Sequence, residues 1–249
     1  MAARRRASSK VGALLEYVEG LPRAEFAHGL KGPMPKNLSS AEVAAFRARL
    51  CEAAKRRFAE HGVEGVSMRA LAEDLGCSAM TPYRYFRDKQ EILAAVRAAA
   101  FDRFGDAMEK AANSPGDAVT KARAVGEAYI RFALRDEQAY RLMFDLSQPD
   151  QHRFPDLIRA GGRARRAMSS FVERMAEEGV LVGDAEELGQ LFWAASHGLI
   201  VLHLAGKLSP KPGFRALHAA MMRLLMRGAR AAHDVPHAPR RPKPTRVSP

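Results

Sequence analysis

The stretch that decides the fold reads Val66-Ser67-Met68-Arg69-Ala70-Leu71-Ala72-Glu73-Asp74-Leu75-Gly76, continuing Cys77-Ser78-Ala79-Met80-Thr81-Pro82-Tyr83-Arg84-Tyr85-Phe86-Arg87-Asp88-Lys89-Gln90-Glu91-Ile92-Leu93. Ser67 is an N-cap residue, its hydroxyl placed to satisfy an orphan N–H of the first turn. Leu71 and Leu75 are four apart and share the inner face of a short helix. Ala72 is small where two helices must cross closely, and Gly76 supplies the positive φ that ends the helix. A turn through Cys77 and Ser78 leads to a third helix ending at Phe86, and Asp88 opens a long fourth one reaching about Asn113. Short helices joined by a tight glycine-containing turn are marginal alone and need a supporting helix, which makes a helix-turn-helix candidate.

Outward from this stretch, apolar residues recur at steps of three and four through most of 40–232, with almost no alternation of period two. That pattern predicts an all-α body. Ser39 or Ser40 caps the supporting helix, whose Val43, Phe46, Leu50, Ala53, Ala54 and Phe58 share a face, and His61-Gly62 stops it. After Ser114-Pro115-Gly116 the pattern predicts helices at about 117–135, 137–146, 155–178, 185–206 and 213–232, although Gly161-Gly162 weakens the third of these. The expected organisation is a basic arm at 1–38, a helix-turn-helix domain at 39–97, a larger helical domain at 98–233, and a Pro/Arg-rich tail at 234–249. Arm and tail are too poor in apolar residues, or too rich in proline and glycine, to build a core.

Composition narrows the function classes. The 249 residues carry 40 Lys+Arg against 28 Asp+Glu, a formal charge of +12 that points to polyanionic partners. The excess sits largely at the ends: residues 1–39 hold 7 basic and 3 acidic side chains, and 234–249 hold 4 and 1, whereas 40–97 hold 10 and 8. Only Cys51 and Cys77 are present, with no zinc-ligand spacing, so no metal, cofactor or disulfide framework is expected. No catalytic fingerprint occurs. His197 and His203 lie six apart, on different sides of a helix, and make no metal pair. The longest apolar run, Leu191 to Gly206, is shorter than the roughly 18 residues of a spanning segment, and the reading is a cytoplasmic, nucleoid-associated protein with no membrane partner and no enzymatic activity.

The segment from Cys77 to Leu93 resembles the recognition helix and following turn of the tetracycline-repressor (TetR) family of bacterial regulators, and the likeness extends back to Phe46. It implies an N-terminal three-helix helix-turn-helix domain followed by a larger helical ligand-binding and dimerisation domain. It further implies a ligand-responsive repressor that binds a palindromic operator as a homodimer. By the same resemblance, base-edge contacts fall to Arg69, Ala79, Met80, Thr81 and Tyr85, and phosphate contacts to Ser67, Tyr83 and Lys89. Ala79 and Met80 carry no hydrogen-bonding group, so they touch thymine methyls or permit close approach, and Arg69 is the candidate for bidentate guanine readout. Pro82 stands where the family often has Leu. Close to the helix start its missing N–H costs least, so it is expected to define the first turn.

Leu191-Phe192-Trp193-Ala194-Ala195-Ser196-His197-Gly198-Leu199 is similar to the Trp-His-Gly signature of one TetR-family regulatory domain. Trp193 and His197 share a helix face, where they flank a ligand or form satisfied core. Candidate pocket residues on this analogy are Tyr129, Phe132, Met143, Phe144, Phe171, Met175, Trp193 and His197, with ordinary core as the competing reading. Arg163, Arg165 and Arg166 are either an anion attractor or a solvated face. The helices at about 185–206 and 213–232 are expected to form the homodimer interface, the last through Leu217, Met221, Leu224 and Leu225. The effector is an unknown small molecule. The rival reading is a non-specific basic binder of nucleic acid or membrane surface.

Overall fold

Ser39 starts the chain's first helix by a reciprocal cap. Its Oγ accepts from the Glu42 N–H at 3.2 Å, and the Ser39 N–H donates to the Glu42 carboxylate at 2.7 Å, so two orphan donors are satisfied locally. The structure, a computed structural model, describes residues 39–144 and 151–231. The arm at 1–38 and the tail at 234–249 lie outside the described residues, as do the ends of the helices expected at 137–146 and 213–232.

Helix α1 (Ser40–His61) ends at Gly62, whose φ of +68° suits a residue without Cβ. Helix α2 (Met68–Asp74) is capped by Ser67, whose Oγ accepts from the Ala70 N–H at 3.1 Å. Replacing such a cap by alanine costs about 1 kcal/mol. Gly76, at φ +63°, lets the Cys77 N–H reach back to the Ala72 carbonyl at 3.0 Å. Asp88, Asp117 and Asp184 cap α3 (Lys89–Ala112), α4 (Ala118–Arg135) and α7 (Ala185–Leu204), and between the last two lie α5 (Glu137–Phe144) and α6 (Pro155–Glu177). Helix α8 (Phe214–Ala231) closes the described chain. Among the described residues there is no strand, in agreement with the all-α expectation.

One expected helix is not an α-helix. Residues 77–86 form successive turns and a single 3₁₀ turn, Pro82–Arg84. Proline has no N–H at 82, so the Ser78 carbonyl is taken instead by the Thr81 N–H at 2.9 Å, and the Thr81 carbonyl by the Arg84 N–H at 3.1 Å. Pro82 does set the first turn, but that turn is tight. Gly161 and Gly162, by contrast, do not interrupt α6. Its Leu157, Ala160, Ala164 and Ala167 are buried along one face, and that packing outweighs the propensity cost.

The chain divides into two compact units, one ending at Ser170 and the other starting at Phe171. Position 97/98, the boundary expected between the first two domains, lies within helix α3. In the first unit, Leu50, Ala53, Ala54 and Phe58 of α1 pack with Met68 and Leu71 of α2, Tyr85 and Phe86 of the turn, and Ile92, Leu93 and Val96 of α3. Leu142 of α5 completes this core. The α4–α5 corner is held to the same body by Asp136, whose Oδ2 lies 3.3 Å from Lys55 Nζ and 3.2 Å from Arg103 Nη2. Arg97, buried, donates to the Met143 carbonyl at 3.0 Å. Along α6, Arg163 pairs with Asp106 and Glu109 at 2.5 Å each, and Arg159 with Asp102 at 3.2 Å. Arg163 is therefore an intramolecular ion-pair residue, whereas Arg165 and Arg166 are exposed.

In the second unit α7 packs against α8. The His203 ring stacks on Phe214 at 4.6 Å, His218 is buried with Nε2 3.4 Å from Ser196 Oγ, and the Val182 N–H donates to the Ala229 carbonyl at 3.0 Å.

Candidate nucleic-acid interface

The helix-turn-helix face is built on a braced frame. Arg57 of α1 grips Asp74 at the end of α2 with two parallel bonds, Nε to Oδ2 at 2.5 Å and Nη2 to Oδ1 at 2.7 Å. Hydrogen bonding from Arg57 holds the Asp74 carboxyl below the usual aspartate value. Arg47 of α1 lies over the Phe86 ring, 3.9 Å from its centroid, and donates to the Tyr85 carbonyl. The turn is thereby anchored to α1 by a cation–π contact, a hydrogen bond and two buried rings.

On this frame Ser67 is exposed, and since its Oγ serves as the cap acceptor, its O–H remains able to donate to a phosphate. Arg69 points outward with its side chain 81% exposed, held only by an i,i+4 pair to Glu73 at 3.1 Å. Such a surface pair is worth about 0.3–0.5 kcal/mol, so its release to a base or phosphate costs little. Ala79 and Met80 stand fully outward, Met80 at 68% exposure, and Tyr83 at 48%. Thr81 is half-buried, its Oγ1 3.0 Å from Ser78 Oγ. Lys89, at the N-terminus of α3, donates to the Val63 carbonyl at 2.8 Å and pairs with Glu64 at 3.3 Å. Its ammonium is thus positioned by the α1–α2 loop.

Tyr85 corrects the expectation of a base-edge contact. Only 7% of it is exposed, and its ring stacks on Phe46 with centroids 4.3 Å apart and planes 26° apart. Among the described residues its buried hydroxyl has no hydrogen-bond partner. After the tight turn at Pro82, Tyr85 and Phe86 both enter the core. Arg47, Arg57 and Asp74 were missed by sequence reasoning, because their partners lie 38 and 17 residues away with no spacing rule to connect them. Arg84 and Arg87, also exposed on the recognition segment, carried a visible signal, namely basic residues flanking the Tyr83–Phe86 aromatics.

The pocket candidates divide between the units. In the first, Met143 is buried, and Tyr129, Phe132 and Phe144 form a packed aromatic cluster with Phe104 and Tyr140: Phe104 meets Tyr129 and Phe132 edge-on at 5.2 and 5.1 Å, and Tyr140 meets Phe144 at 5.0 Å. Tyr129 and Tyr140 share a buried hydroxyl–hydroxyl bond of 2.8 Å, and burial drives the Tyr140 phenol strongly upward from its ordinary value. In the second, Met175 is buried, Phe171 packs edge-on against Phe192 at 6.0 Å, and Trp193 lies 6.2 Å from His197 on one face of α7. Burial lowers the His197 pKa, which keeps the imidazole neutral near pH 7.

Among the described residues no helix is long and apolar enough to cross a membrane, and no cluster of potential metal ligands occurs. Residues 50–96 match the family model of bacterial regulatory proteins, tetR family, and residues 122–227 match that of the tetracyclin repressor-like C-terminal domain. The chain is similar to the HTH-type transcriptional regulator Rv1816 of Mycobacterium tuberculosis, 29% identical over 142 residues that make up 55% of this chain and 58% of that protein. The chain thus spans under two thirds of that relative's length. It is also similar to the HTH-type transcriptional activator FasR of Mycolicibacterium smegmatis, 30% identical over 99 residues, 40% of this chain and 45% of that one. A solved protein of unknown function from Rhodococcus sp. RHA1 superposes with a TM-score of 0.65 at 27% identity, covering 79% of this chain and 99% of its own. With a braced helix-turn-helix followed by a helical C-terminal region, and both parts matched, the chain belongs to the tetR family of bacterial regulatory proteins.

Proposed function

We propose that the protein is a sequence-specific DNA-binding transcriptional regulator. It acts as a homodimer on a palindromic operator, represses by occupying that operator, and is released by a small-molecule effector. The observation that carries this reading is the outward face of the helix-turn-helix. Ser67, Arg69, Ala79, Met80 and Tyr83 are exposed together on a frame whose own polar groups are tied down by Arg57–Asp74 and Arg47–Tyr85. Lys89 and the Ser67 hydroxyl supply phosphate contacts, which set register, and Arg69 supplies base readout. The net charge of the chain adds a sequence-independent term.

Dimerisation is supported by the apolar side chains that the second unit leaves in solvent: Leu191, Val201 and Leu202 on α7, and Leu224 on α8 at 67% exposure. A dimer presents two recognition elements to successive major-groove faces, which accounts for a palindrome. Effector response is supported by the aromatic cluster around Tyr129 and by the Trp193–His197 pair, each able to line an apolar site after modest repacking. A ligand acts by its differential affinity for conformations with matched and mismatched recognition elements. Repression needs operator occupancy alone, the least demanding mode of control. FasR is named an activator, so the sign is read from a reporter fused to the bound promoter.

The test is selection of bound duplexes from a random pool, followed by titration of the recovered sequence and a scrambled one at equal salt. A recovered palindrome, bound far more tightly than the scramble, supports the regulator. Equal affinity for both sinks it in favour of the non-specific basic binder. On the recovered site Arg69→Ala should cost about 1–3 kcal/mol at one base pair only.

A further inference from the structure

Between Gly76 and Tyr83 the recognition element carries no charged side chain. Its two hydroxyls, Ser78 Oγ and Thr81 Oγ1, bond one another at 3.0 Å, so at most one O–H is left over for a base. Pro82 is buried and has no N–H to offer, and Tyr85, three residues on, is turned into the core. What projects is Ala79 and, beyond it, Met80, which at 68% exposure heads the large apolar side chains left in solvent. Met80 belongs to a turn fixed by the Thr81 N–H to Ser78 carbonyl bond and by the anchoring of Phe86 under Arg47. It is therefore an apolar probe on a rigid mount, with a flexible thioether tip that adapts to a small apolar feature.

The major groove presents one apolar feature on a base edge, the C5-methyl of a pyrimidine. We propose that Met80 reads this methyl group, so that one operator position in each half-site discriminates the 5-methylpyrimidines, thymine and 5-methylcytosine, from uracil and cytosine. The proposal rests on the regulator reading above and deepens it by naming what the recognition element detects. A charged or amide side chain at this position would read donors and acceptors and would separate thymine from 5-methylcytosine. A thioether contacts the methyl group that the two share. Burying one methyl-sized group is worth about four-fold in affinity, and about fifteen-fold when both half-sites of a palindrome are changed.

The experiment uses the full chain and the palindrome recovered by selection. At each pyrimidine position, symmetrically in both half-sites, duplexes carry thymine, uracil, cytosine or 5-methylcytosine, and affinity is measured by fluorescence anisotropy for wild type and Met80→Ala. Because Met80 is exposed, Met80→Ala retains the fold, and a circular dichroism spectrum and urea midpoint equal to wild type serve as the check. At one position the wild type should lose about fifteen-fold from thymine to uracil and gain about the same from cytosine to 5-methylcytosine, and both increments should vanish in Met80→Ala. Absence of a methyl increment at every position, or increments that persist in Met80→Ala, overturns the assignment while leaving the regulator intact. A pool that returns no preferred sequence overturns the regulator reading and this one with it.

Discussion

Removing the Tyr85 hydroxyl separates two accounts of the recognition segment. The ring is stacked 4.3 Å from Phe46 and buried in the core of α1, α2 and α3, and its hydroxyl is buried without a partner among the described residues. Tyr85→Phe keeps the ring, its stacking and the Arg47 bond to the main-chain carbonyl, and deletes only the unsatisfied group. An unpaired buried polar group costs about 1–3 kcal/mol, part of which the variant should recover, so stability should rise by about 1 kcal/mol. Tyr85→Ala removes the ring as well and leaves a cavity between Phe46 and Phe86, with an expected loss of about 3–5 kcal/mol. Urea titration followed by circular dichroism reads both stabilities, and anisotropy on operator DNA reads binding. Tyr85→Phe should bind within about two-fold of wild type, since a difference below about 0.4 kcal/mol is expected when no contact is lost. The reasoning is refuted if Tyr85→Phe leaves the urea midpoint unchanged and weakens operator binding ten-fold, because the hydroxyl would then be touching DNA.

Three further outcomes are expected. Lys89→Ala should weaken binding to all duplexes and lower the slope of log affinity against log salt by about one, whereas Glu64→Gln, which frees the same ammonium, should strengthen binding; equal slopes for Lys89→Ala and wild type would remove Lys89 from the phosphate contacts. The Asp74 carboxyl is held low by Arg57, so the brace stabilises the fold above the unfolded aspartate pKa of about 3.9 and is lost as pH falls through the lower folded value. Asp74→Asn should therefore flatten part of the acid limb of the urea midpoint below about pH 4, and an unchanged limb would assign that limb to other carboxylates such as Glu42 and Asp117, which are also held low. Leu224→Glu should leave the stability of the isolated chain within about 0.5 kcal/mol, as the position is solvent-exposed, yet shift sedimentation toward monomer and weaken operator binding; a stable dimer would move the interface elsewhere.

Much of the helical framework was legible because its signals are local. Ser39 with Glu42, Ser67 with Ala70, and Asp88 with Glu91 are contacts three residues apart, and Gly62 and Gly76 act through their own φ. The period of the apolar residues likewise put Leu50 and Phe58 on one face of α1 and Leu71 on the inner face of α2, and all three lie in one core. The exposed part of the site followed from the same motif. Ser67, Arg69, Ala79 and Met80 face solvent because their inner neighbours are apolar and must turn the other way.

Sequence alone thus determined the all-α class, the caps, the turn glycines and the identity of the helix-turn-helix segment, since each depends on residues within about one helical turn. Tertiary structure decided where Tyr85 points, which cation holds Asp74, what positions Lys89, and that Arg163 is spent on Asp106 and Glu109. It also decided that Leu142 of α5 completes the helix-turn-helix core. These are pairings between residues 17 to 57 positions apart. No periodicity encodes them, because their energy depends on which distant surfaces meet once the helices have packed.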